Sequence, residues 1–215
     1  MRRAETRPAD LHASSIALPP VQVPRDIRAI RQTWTVAGLT FFCMVPVTLL
    51  VAPLKELVAL PYGASSFWTH SFMSVNMIGA VLAAPLIGRL ADRRRRRVAV
   101  FALVAEAGFL CAMGWAPGLA WLLILRFLEG AAHILALSTL MAIAASWAQP
   151  GRRGRVMGLV GAAMMFGTAC GTRLGGLAWR AAPDWTFQTA GAVALIAAFT
   201  ASLLLVEPTV PAHRS

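Results

Sequence analysis

The chain has 215 residues, of which 58% are hydrophobic and only 13% charged, and its net charge is +11. A soluble domain carries about 25% charged residues, so this composition excludes an ordinary water-borne domain. The positive charge does not imply nucleic acid, because the arginines fall in short stretches between long apolar runs, where membrane orientation puts them.

Residues 1–33 carry six arginines and several prolines and read as a cytoplasmic N-terminal tail. The tail is expected to be partly disordered up to Pro24, with residues 25–31 forming a short amphipathic turn at the membrane surface. The next apolar stretch begins near Trp34 and is too long for a signal-peptide core, so no signal peptide is read here. Crossing the hydrocarbon takes about 20 mostly apolar residues in a helix. Six segments qualify: 34–53, 67–87, 98–115, 119–147, 156–179 and 185–206. The fold class is therefore an all-α membrane protein, with a six-helix transmembrane bundle over 34–206 and a cytoplasmic C-terminal tail over 207–215. The separators hold Lys55, Glu56 and Pro61, the arginine block before Val98, Pro117, Pro150 with Gly151, and Pro183 with Asp184. Trp34, Trp68, Trp115, Trp147, Trp179 and Trp185 stand at span ends, as an interfacial belt requires.

The charge census orients the bundle. Six basic residues lie in the N-terminal tail, six between spans 2 and 3, three between spans 4 and 5 and one in the C-terminal tail. The opposite side has only Lys55 and Arg180, while Arg126 and Arg173 lie within spans. Sixteen against two places both termini in the cytoplasm.

Polar residues inside spans are costly, by about 2.5–3.5 kcal/mol for a charge at mid-helix, so they should face a bundle interior or a wet cavity. Arg126, Glu129 and His133 share one face of span 4 at helical spacing. They are candidates for a proton relay or a substrate contact, against a plain Arg126–Glu129 pair that only fastens helices. Glu106 in span 3 is either a second protonatable site or a partner for Arg126 across the bundle. Asn76 reads as an interhelical hydrogen bond and His70 as a wet interfacial residue. Gly79 and Ala83 suggest close packing in span 2. In span 5, Gly167, Gly171 and Gly175 step by four and form a groove that lets another helix approach. Arg173 lies on the opposite face and is expected to snorkel outward. Cys43, Cys111 and Cys170 lack metal-ligand spacing and read as small packing residues, without a disulfide or a metal site. No phosphate loop, catalytic triad order or dinucleotide fingerprint is present, so neither enzyme activity nor a cofactor is expected.

Three motifs carry a family resemblance. Gly88-Arg-Leu-Ala-Asp92-Arg93-Arg-Arg-Arg96-Arg97 resembles the loop between helices 2 and 3 of the major facilitator superfamily, with Arg95 where that loop has its second glycine. Arg126-Phe-Leu-Glu129-Gly130 resembles the helix 4 motif Arg-x-x-Gln-Gly. Gly158, Gly167, Gly171, Gly175 and Gly176 keep the register of the helix 5 motif of the family's drug:proton antiporters, with Thr172 at its proline position.

The resemblance covers the N-terminal six-helix half of such a transporter, built as two inverted three-helix repeats. It implies proton-coupled efflux of a small organic solute by alternating access, in a lipid bilayer such as the bacterial inner (plasma) membrane. Arg126, Glu129, His133 and Glu106 would form the relay, and Gly88, Asp92, Arg93, Arg96 and Arg97 a gating latch between halves. The glycine face of span 5 would pack on a helix of the second half, and a lone half would leave Arg126 towards lipid. The expected partner is thus a second six-helix half, as a homodimer or a separate chain; the segment after Val206 reads as the start of a central linker or as a terminus. The alternatives are a non-transporting membrane subunit or assembly factor on the same fold, and an inactive truncated transporter. Span 1 has no carboxylate, which argues against a cationic substrate held there.

Overall fold

The computed structural model describes residues 23–91, 94–149 and 151–206. Among these are six long helices and no strand: α1 (Val23–Leu49), α2 (Ser66–Ala91), α3 (Arg95–Met113), α4 (Leu119–Trp147), α5 (Arg153–Ala181) and α6 (Thr186–Leu204). They match the six expected segments in order. Three stretches, Ile27–Leu49, Leu119–Trp147 and Pro183–Leu204, are long and apolar enough by themselves to cross a membrane. The remaining helices are more polar: serines, His70 and Asn76 dilute α2, three arginines open α3, and Arg153, Arg155, Arg173 and Arg180 punctuate α5.

One detail differs from expectation. Residues 25–31 are not a separate surface turn, because α1 runs unbroken from Val23 and through Pro46. In the first separator, Lys55–Ala59 winds as a wide π-type turn into Leu60–Tyr62, and Gly63 closes it with a φ of 58°, a left-handed value that glycine adopts at little cost.

Helices adjacent in sequence, with the exception of α3 and α4, pack little against each other. The main pairings are α1 with α5, α2 with α4, α3 with α4 and α3 with α6, supported by α1 against α6 and α4. Hydrogen bonds show which ends meet. Gln32 Nε2 donates to the Leu204 carbonyl at 3.1 Å, and its Oε1 accepts from Val206 N at 3.3 Å. Arg95 Nη1 donates to the Ala142 carbonyl at 3.3 Å, and Arg96 donates to the Ser202 carbonyl. Trp147 Nε1 donates to the Val206 carbonyl at 3.2 Å. The start of α3 and the ends of α4 and α6 therefore share one end of the bundle with the start of α1. At the other end Tyr62 donates to the Ala116 carbonyl at 3.1 Å. Arg95 and Arg96 cap carbonyls near two helix C-termini, where the helix dipole favours a cation.

The span 5 glycines pack within this chain. A Cβ on Gly167, Gly171 or Gly175 would overlap the backbone of Phe41, Val45 and Leu49 respectively. Both series advance by four residues, so α5 lies along α1 with their backbones in contact. This corrects the expectation of a second-half partner for that face. Gly158 is exposed with open space beside it, and Gly176 meets only the Ala52 Cβ at 3.8 Å, so these two are peripheral to the contact.

Two apolar clusters fill the interior. One gathers Leu39, Ala102, Leu103, Leu140, Ile143 and Ala197 towards the basic end. The other gathers Leu50, Phe72, Leu110, Met113, Leu122 and Phe187 towards the opposite end. Outside, Met77, Val81, Phe101, Phe166 and Phe199 are each more than 60% exposed. In water such a surface would drive association; in a bilayer it matches its solvent.

Candidate functional site

Between the two apolar clusters lies a polar layer drawn from α1, α2, α3 and α4. On α4, Arg126, Glu129 and His133 fall at i, i+3 and i+7, and thus on one face. That face points inward: Arg126 and Glu129 are fully buried and His133 nearly so. The expectation that Arg126 would face lipid is therefore corrected.

Arg126 Nη1 donates to Glu129 Oε2 at 2.7 Å. Asn76 Nδ2 of α2 donates to the same oxygen at 2.5 Å. The Arg126 guanidinium also sits 4.8 Å from the centroid of the Phe72 ring, and its Nη2 lies 3.8 Å from Met73 Sδ. Asn76 thus makes the interhelical bond its sequence position suggests. It reaches Glu129 because two glycines bring the backbones together. A Cβ on Gly130 would overlap the Asn76 carbonyl, and one on Gly79 the Phe127 carbonyl. Gly130, next to Glu129 in the motif, is thus what lets a short amide on α2 span the gap.

About one α4 turn further along, roughly 6 Å by helix rise, stands a second group. His133 Nδ1 lies 3.1 Å from Glu106 Oε1 of α3. Cys43 Sγ of α1 lies 3.7 Å from the same nitrogen. Glu106 therefore pairs with His133 and not with Arg126. Cys43 is packed in the apolar core, as expected, and its sulfur also faces this ionisable pair. Three buried polar atoms in this layer, Glu106 Oε2, Glu129 Oε1 and Arg126 Nε, have no hydrogen-bond partner among the described residues. Most buried polar atoms are paired, so such orphans point to a place where something binds or moves.

The other expected residues lie elsewhere. Gly88 belongs to the last part of α2, while Asp92 and Arg93 lie outside the described residues. Arg97 and Arg96 line a recess of about 860 Å³ with Phe101, Val104 and Ser202, at the basic end and away from the polar layer. A second recess of about 380 Å³ opens at the same end between α1, α4 and α5, lined by Trp34, Trp147, Arg152 and Arg155. Arg173 is exposed on α5, and His70 is exposed with Nδ1 2.7 Å from the Ser66 carbonyl. Sequence reading missed Cys43, whose neighbours come from other helices, and Gln32, whose amide ties α1 to the end of α6.

Residues 36–215 match the family model of the Major Facilitator Superfamily. No curated protein matches the chain.

Proposed function

The chain belongs to the Major Facilitator Superfamily, and on that premise we propose that it is one six-helix half of a proton-coupled transporter that expels a small organic solute by alternating access. Members of this family are transporters rather than enzymes, and act on small molecules in a lipid bilayer. The finer reading rests on this chain's own residues.

The helix pairings support two inverted three-helix repeats. Exchanging α1 with α4, α2 with α5 and α3 with α6 turns the α1–α5 pair into α4–α2 and the α1–α6 pair into α4–α3. The α3–α6 and α1–α4 pairs map onto themselves. All six of these pairs are present, as an in-plane two-fold relation between repeats requires. The basic end, with Arg95 and Arg96 clamped on helix carbonyls, is the cytoplasmic end by the positive-inside bias. A second half, from a second copy, another chain or further polypeptide, completes the path.

The observation that carries the proposal is the buried polar layer. A scaffold gains nothing from four ionisable side chains midway between two apolar clusters, given their cost in a membrane. Glu129 is the proposed proton carrier. Charged, it holds Arg126 and Asn76; protonated, it releases the guanidinium, and the change of partner biases one packing of the halves over the other. While their donor atoms are free, Glu106 and His133 extend the relay by one helical turn. The test is efflux of an amphipathic fluorescent dye from vesicles holding the complete assembly under an imposed pH gradient. Glu129→Gln is expected to abolish gradient-driven efflux while leaving dye exchange without a gradient. Unchanged efflux in that variant would sink the relay; no efflux by the unmodified assembly would favour a non-transporting subunit.

A further inference from the structure

A second chemistry is built into the polar layer at Cys43, Glu106 and His133. Three helices, α1, α3 and α4, each contribute one of these side chains. Cys43 Sγ and Glu106 Oε1 approach the same atom, His133 Nδ1, at 3.7 and 3.1 Å. All three donor atoms lie within 4.8 Å of one another. Ligand atoms at about 2.0–2.3 Å from a tetrahedral zinc ion stand roughly 3.3–3.6 Å apart. The two contacts to Nδ1 need shifts of only a few tenths of an ångström to close on a metal, and the Cys43–Glu106 separation, at up to 4.8 Å, must shorten by up to about 1.2 Å. An ordinary hydrogen bond accounts for the Glu106–His133 contact alone. Cys43 competes with Glu106 for that nitrogen, whose single N–H or lone pair serves one of them well, and Glu106 Oε2 is buried without a partner among the described residues.

We propose that Cys43, Glu106 and His133 form a binding site for a borderline-soft divalent transition-metal ion, with zinc as the best fit. The donor set decides the class. One sulfur, one imidazole nitrogen and one carboxylate suit zinc, cobalt or copper; magnesium and calcium require mostly oxygen. The charge decides the valence. A thiolate and a carboxylate together neutralise a dication, which leaves no net charge in a setting where an isolated ion is expensive. Glu106 Oε2 supplies a fourth donor if the carboxylate binds through both oxygens. Access is from the His133 side, whose side chain is 10% exposed while that of Glu106 is fully closed. Arg126 and Glu129 lie one turn away as a separate pair and do not contribute ligands.

The site is tested by binding alone, so it stands or falls independently of transport. The purified full chain in mild detergent is titrated with Co²⁺ and then with Zn²⁺. One Co²⁺ per chain is expected, with the charge-transfer absorption that a thiolate–cobalt bond produces, and Zn²⁺ should displace it. Cys43→Ser should remove that absorption, and Glu106→Gln and His133→Gln should weaken binding at least tenfold, whereas Cys111→Ser and Cys170→Ser should leave both unchanged. Elution as a single species and an unchanged metal-free melting temperature identify folded variants. Should Cys43→Ser not fold, the unmodified chain provides the second measurement: Zn²⁺ should raise its melting temperature and equal Mg²⁺ should not. Absence of sulfur–cobalt absorption in the unmodified chain, its persistence in folded Cys43→Ser, or equal effects of Zn²⁺ and Mg²⁺ would each overturn the proposal.

Discussion

Removing one member of the Arg126–Glu129 pair should damage the protein more than removing both. The two side chains are fully buried and 2.7 Å apart. Glu129→Leu leaves Arg126 with only Phe72 and Met73 beside it; Arg126→Leu leaves a buried carboxylate held by Asn76 alone. Stranding one charge of a buried pair costs about 3–5 kcal/mol, whereas replacing both charges by apolar groups is often near neutral. The double variant should therefore lie within about 2 kcal/mol of the unmodified protein. The coupling then exceeds about 3 kcal/mol, well above the roughly 0.6 kcal/mol typical of interhelical hydrogen bonds in membranes. Equilibrium unfolding in mixed detergent, followed by tryptophan fluorescence, measures all four corners of the cycle. Coupling below about 0.5 kcal/mol, the limit of additivity for independent sites, would refute the buried-pair reasoning. A stable double variant that has also lost transport would separate the pair's functional part from its structural one.

Other expectations follow from particular contacts. Gly171→Leu drives a side chain into Val45 and Thr48 of α1 and should destabilise by about 1–3 kcal/mol or more; exposed Gly158→Ala should be neutral or gain about 0.5–1 kcal/mol. Thermal melts of the two variants compare these directly. Gly130→Ala should push α2 off α4 and break the Asn76–Glu129 bond, so its transport loss should resemble that of Asn76→Ala, read in the same dye-efflux assay. Single cysteines at positions 64 and 117 of a cysteine-free variant should react with an impermeant maleimide from outside intact cells, and one at 152 should not; the reverse pattern would invert the topology. Burial raises the Tyr62 phenol above its usual 10.0. The folded state thus keeps its proton where the unfolded chain loses it, and this contribution is intact below about pH 10 and fades as pH rises through the higher folded value. Tyr62→Phe should flatten that alkaline loss in a melting-temperature profile.

The sequence made some of this legible and hid the rest for definite reasons. Helix order came through because span length and apolarity are local properties, and Arg126 with Glu129 came through because three residues of helix is a fixed distance. Asn76 was readable as a bonding residue, but not its partner, since that depends on how Gly79 and Gly130 let α2 and α4 approach. Glu106 with His133 and Cys43 had no local signal at all: 27 and 90 residues separate the contacts, and only the register of three helices brings them together. The glycine face of α5 was visible as a groove, yet its occupant was not. A groove specifies that a backbone approaches closely and leaves open whose backbone it is. The continuity of α1 into residues 25–31 was obscured by arginines that suit a membrane surface and a helix equally.

The pairing of α1 with α5 has a consequence for how the protein is made. The backbone of Phe41, Val45 and Leu49 lies where a side chain on Gly167, Gly171 or Gly175 would stand, and those glycines are synthesised more than a hundred residues later. At a biosynthetic rate of about 5–20 residues per second, the first helix waits roughly several seconds or more in the bilayer without its mate. The second and third helices offer little to cover it in the meantime. Insertion and assembly are thus separate events for this chain, and α1 is the surface on which a premature, wrong partner would do most harm.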